Sequence, residues 1–101
     1  MTLGQKIKNL REEAGLLQKE LAVKLKIGDG YLSKVEFNQK SIKRAHLTTI
    51  SEIFGCSLSE LESLWVGTKV YEIIKNESEG YNALKVAEEQ LNYKIIENAK
   101  V

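Results

Sequence analysis

Ten of the fifteen lysines and arginines lie within residues 1–50, against five carboxylates, which gives that half a charge of +5. Residues 51–101 reverse the balance with five cations and nine carboxylates, a charge of −4. Clustered cations neutralise phosphates, and such a split suits a chain with one half against a polyanion and the other turned away. Covalent and metal chemistry find less to work with. His46 and Cys56 are single members of their types, so one chain can form neither a disulfide nor a thiolate zinc cluster. No Gly-rich phosphate loop, Ser/His/Asp set or paired-carboxylate site presents itself. The sequence is therefore read as non-enzymatic, with no metal, cofactor or small-molecule ligand expected.

Holding cations in register requires a scaffold, and the apolar spacing predicts an all-α one. Leu3, Ile7, Leu10 and Ala14 predict a helix over 3–14, ended by Gly15. Leu21, Ala22 and Leu25 predict a shorter one over 18–25, with Lys26, Ile27 and Gly28 as a tight connection. Leu32 and Val35 place a third over 29–37, and Asn38 to Ser41 read as a polar turn. Leu47, Ile50, Ile53 and Phe54 predict a fourth, from Ile42 or Lys43 to Phe54. Ser57 and Glu60 have capping-box spacing at the head of a fifth, whose buried face is Leu58, Leu61, Leu64 and Trp65. Gly67 is expected to bound this five-helix domain, residues 1–67. A C-terminal helical extension, 68–101, follows with segments at 68–76 and 81–99. No stretch approaches the roughly 18 apolar residues of a membrane span, and the N-terminus does not read as a secretory signal. A cytoplasmic location is expected.

Two short helices joined by a turn within a five-helix core have the layout of a DNA-reading helix-turn-helix. Any small helical domain shares the periodicity, so the residues themselves must discriminate. The run Leu10-Arg11-Glu12-Glu13-Ala14-Gly15-Leu16-Leu17-Gln18-Lys19-Glu20-Leu21-Ala22 resembles the opening of the phage repressor and Cro-type (XRE) family of helix-turn-helix regulators. The likeness continues through Tyr31-Leu32-Ser33-Lys34-Val35-Glu36 and ends at Leu58-Ser59-Glu60-Leu61, covering about residues 3–65. It implies a regulator that binds double-stranded DNA as a homodimer on a palindromic operator, most simply a repressor. Members of similar size include controllers of restriction-modification genes and autoregulating antitoxins.

The resemblance places Asp29, Gly30, Tyr31 and Lys34 in the groove, with Gly28, Asn38 and Gln39 beside them. Lys34 can donate to guanine O6 or N7. Asp29 can accept from cytosine N4 or simply complement the helix dipole. Lys19, Lys40, Lys43 and Arg44 flank that helix as phosphate contacts, and Gln18 can offer its amide to a phosphate from a helix N-terminus. Arg11 and Glu36 match the family's ion pair between helices one and three. Departures from the pattern are local. Lys26 stands where a small residue is usual, which implies a left-handed lysine; Gly28-Asp29-Gly30 makes a weak first turn; Phe37-Asn38 replaces the usual glycine.

Val70, Ile73 and Ile74, with Leu84, Ala87, Leu91 and Ile95 on one stripe of the last helix, form the expected dimerisation element. The alternative is dimerisation through Ser57 to Trp65, with the last helices folded back on the core. A different function class also fits: a protein-interaction module, such as an antitoxin, gripping a partner through its acidic C-terminal helices.

Overall fold

Thr2 starts the first helix with a reciprocal cap: its hydroxyl accepts from the Gln5 N–H at 3.1 Å, and Gln5 Oε1 accepts from the Thr2 N–H at 3.0 Å. The computed structural model describes residues 1–99, in which this helix, α1 (Leu3–Glu13), precedes α2 (Gln18–Leu25), α3 (Asp29–Glu36), α4 (Ala45–Phe54), α5 (Leu58–Ile74) and α6 (Gly80–Ala99). No strand occurs among the described residues, and the architecture is all-α.

The first three helices end in the same way. Leu16 N–H bonds Arg11 O and Gly15 N–H bonds Glu12 O, each at 3.0 Å. Ile27 to Ala22 and Lys26 to Val23 repeat the pattern, as do Gln39 to Lys34 and Asn38 to Val35. This double bond closes a helix only if one residue turns left-handed. Gly15 does so at φ 71°, Lys26 at 57° and Asn38 at 62°. Asparagine tolerates that region better than most side chains, which explains how the chain turns after α3 without a glycine.

Ile7, Leu21, Leu32, Ile42, Leu47, Ile50 and Leu61 are the largest fully buried side chains, so all of the first five helices and one loop contribute to one core. Gly4 sets how closely α1 approaches α3. A Cβ there would lie 2.6 Å from Asn38 Oδ1, 2.9 Å from the Glu36 carbonyl oxygen and closer still to that of Val35. Two of these are backbone atoms that cannot swing aside. Gly4→Ala should therefore lower stability by about 1–3 kcal/mol, the usual cost of overpacking, despite alanine's better helix propensity; a denaturation midpoint equal to wild type would show that α1 slides freely.

Two helix boundaries differ from expectation, and one turn expected to be weak is closed. α4 begins at Ala45, because Ile42 is drawn into the core as a loop residue instead of starting the helix. The first turn of α3 is closed, with Leu32 N–H on the Gly28 carbonyl at 3.0 Å and Asp29 Oδ1 taking the Gly30 N–H at 2.9 Å. Gly67 does not end a helix: α5 runs through it to Ile74, absorbing the segment expected at 68–76. A glycine costs a helix interior roughly 1 kcal/mol without terminating it. The chain divides into two compact units, residues 1–68 and the part from Lys69 on, and α5 crosses that boundary. Lys100 and Val101, the last positions of the 68–101 extension, lie outside the described residues.

Candidate nucleic-acid interface

Beneath α3, Arg11 reaches Glu36 with a two-pronged grip: Nε is 2.8 Å from Oε2 and Nη2 is 3.0 Å from Oε1. Its third nitrogen, Nη1, donates to the Leu16 carbonyl at 2.8 Å. Gln18 Nε2 adds a bond to Glu36 Oε1 at 3.0 Å, so the carboxylate ties α1, the turn after it and α2 to α3. The Glu36 side chain is fully buried and that of Arg11 is 12% exposed. Hydrogen bonding to Glu36 raises the Arg11 pKa above the ordinary guanidinium value, against the opposing pull of burial. The arginine stays charged wherever the protein is folded. Gln18 thus directs at least one amide hydrogen inward, a commitment that its position in sequence did not reveal.

On the outer side of α3, Asp29, Gly30 and Lys34 are exposed, as is Gly28 before them. An added Cβ would meet nothing within 4 Å at Gly28 or Gly30, so internal packing demands neither glycine. Tyr31 is different. Its ring packs against the core and its hydroxyl donates to the Ser41 carbonyl, which pins the loop after α3 to that helix. Gln39 and Lys40 donate their backbone N–H groups to the Lys34 carbonyl at 2.8 and 3.3 Å, which holds these two residues against the last turn of α3.

The loop from Asn38 to Arg44 is held from α5 as well. Trp65 Nε1 donates to the Ile42 carbonyl at 2.7 Å. Arg44, expected as a phosphate contact, places Nε and Nη2 3.0 and 2.8 Å from Glu62 Oε2, with its guanidinium 5.5 Å from the Trp65 ring centre. Ile42, Glu62, Trp65 and Gly4 all position the interface, and local reading missed them because each acts on a segment distant in sequence. The clue available for Trp65 was its indole N–H, which a half-buried tryptophan must satisfy. Glu60, expected to complete a capping box with Ser57, instead sets its carboxylate 3.2 Å from Lys6 Nζ, while Ser57 Oγ accepts from the Glu60 N–H at 3.2 Å.

Divided at the structural boundary, the charge asymmetry changes character. Residues 1–68 hold ten cations and eight carboxylates, for +2, and residues 69–101 hold five and six, for −1. The carboxylates of residues 51–68 therefore share a unit with the basic half. Glu36, Glu60 and Glu62 are spent on Arg11, Lys6 and Arg44. Lys19, Lys34, Lys40 and Lys43 are exposed and make no ion pair among the described residues.

In the second unit, Ile73, Leu91 and Ile95 are 73%, 63% and 66% exposed, Val70 and Leu84 somewhat less, and Ala87 is exposed. Ile74 is half-buried at the turn into α6, where it contributes with Tyr71, Tyr81 and Leu84 to a cavity of about 350 Å³. No described helix is long and apolar enough to cross a membrane.

A short helix braced across a second, whose outer face carries Lys34 with no ion pair among the described residues, has the layout of a helix-turn-helix. The chain belongs to the helix-turn-helix family of DNA-binding regulators, whose model matches residues 7–61. Among curated proteins it is similar to the HTH-type transcriptional regulator ImmR of Bacillus subtilis (strain 168), with 36% identity over 61 residues. That match covers 60% of this chain and 48% of the relative, so the chain aligns with about half of that protein. No solved structure matches.

Proposed function

We propose that this chain binds a palindromic DNA site as a homodimer and represses the promoter it covers. The observation that carries the reading is the set of exposed lysines on and near α3, Lys19, Lys34, Lys40 and Lys43, that make no ion pair among the described residues. Seated in the major groove, α3 offers Lys34 to a guanine edge while Lys40 and Lys43 meet the flanking phosphates. The open space at Gly28 and Gly30 lets DNA approach the α3 backbone, and Asp29 serves the helix N-terminus through its bond to Gly30. The relative's description as a transcriptional regulator supports a regulatory role.

A two-fold partner follows from the size of the contact, since one recognition helix covers one half-site. Glu60, Glu62 and Trp65 are occupied within their own domain, which speaks against Ser57–Trp65 as the pairing surface. The α6 stripe, exposed over three turns, is the better one. Lys34→Ala should weaken operator binding by about 1–3 kcal/mol and relax preference at one base pair, whereas Lys43→Ala should weaken all sequences alike and reduce the salt slope by about one. Titrations of operator and random duplex over a range of salt read both effects; equal losses on the two DNAs for both variants would erase the division of roles.

A further inference from the structure

Arg44 is already engaged when the protein is alone, and the manner of engagement has a consequence for DNA binding. The Nε–Nη2 edge of its guanidinium, the edge an arginine uses to grip a phosphate in two-pronged fashion, is turned to Glu62 Oε2 at 3.0 and 2.8 Å. One face of the same group lies over Trp65, 5.5 Å from the ring centre. Yet the pair is not sealed, since the side chains are 54% and 34% exposed. A cleft of about 500 Å³ runs beside it, bounded by Ser59, Ser63, Val66 and Gly67, so the guanidinium has room to leave. The contrast is Arg11, whose partner is fully buried and whose ion pair is part of the core.

We propose that Glu62 and a DNA phosphate compete for Arg44. In free protein Glu62 holds the guanidinium against Trp65 and masks one cation of the interface; on DNA, Arg44 changes partner from carboxylate to phosphate. The inference rests on the DNA-binding reading above and adds to it a carboxylate that lowers affinity for every sequence. An ion pair this exposed is weak, so a phosphate can displace Glu62, but the displacement subtracts from binding. The loop itself does not depend on the pair. Tyr31 on Ser41 and Trp65 on Ile42 continue to hold it when Arg44 moves.

Glu62→Gln in the full chain is the test, with a random-sequence duplex as the probe because the effect is on phosphate contact. The variant should bind roughly three- to tenfold more tightly, with little change in the salt slope because Arg44 meets a phosphate in both complexes. Removing any carboxylate near DNA raises affinity somewhat, so the same change is made in an Arg44→Gln background, where the gain should vanish. Trp65 is the only tryptophan and reports the exchange directly: its emission should change on DNA binding in wild type and not in Arg44→Gln. An equal gain in both backgrounds, or no gain in either, overturns the competition. A wild-type chain without salt-dependent duplex binding instead overturns the DNA-binding reading itself, a different and separately visible failure.

Discussion

Glu36→Ala should destabilise the first unit by about 3–5 kcal/mol, the range for removing one partner of a buried ion pair. The size follows from what remains behind. Arg11, 12% exposed, loses two charge-assisted bonds at 2.8 and 3.0 Å and keeps only the Leu16 carbonyl. Gln18 loses its acceptor in the same step. Because domains have total stabilities of only about 5–15 kcal/mol, such a loss is a large fraction of the whole. Chemical denaturation of Glu36→Ala, Arg11→Ala and the double variant checks this. The double variant should be less destabilised than the sum of the singles, since removing both charges leaves no uncompensated one. Additive losses would mean that the pair is wet and contributes little.

Leu84→Glu with Leu91→Glu should convert the proposed homodimer to monomer and weaken operator binding by about two orders of magnitude, the gain expected from linking two half-site contacts. The two positions lie two turns apart on the α6 stripe that also carries Ala87 and Ile95, and both side chains are exposed in the single chain. Glutamate has good helix propensity, so α6 itself should survive the change. Burying two carboxylates against their symmetry mates, by contrast, is prohibitive. Sedimentation measures the assembly and operator titration the affinity. A dimer that persists with undiminished affinity would exclude α6 as the pairing element, and a monomeric wild type would turn the stripe over to a different protein partner.

Helix-forming stretches were legible in the sequence where a repeating physical cause acts within a few residues. The spacing of Leu21, Ala22 and Leu25, or of Leu47 and Ile50, states which face is buried, and Gly15 and Gly55 mark ends that require a left-handed turn. Even Lys26 was legible as a strained position, because the geometry of a short turn leaves few alternatives. Gly67, for the corresponding reason, does not break α5. A glycine signals an end only if the chain turns there, and the capacity to turn is local while the decision is not.

What the sequence by itself determined is therefore the all-α class, most helix boundaries in the first 60 residues, and a motif of residue types specific enough to name a family. The tertiary structure alone decided which polar side chains are available. Gln18, Tyr31 and Arg44 looked as ready for DNA as Lys19, Lys34 and Lys43, yet the first three bond Glu36, the Ser41 carbonyl and Glu62. It also decided that Ile42 belongs to the core and that Gly4 meets the end of α3. The physical reason is range. Helix propensity and capping act over three or four residues, whereas a charge or a buried carbonyl is satisfied by whatever the fold brings within about 3 Å, and here those partners lie 10 to 23 residues away.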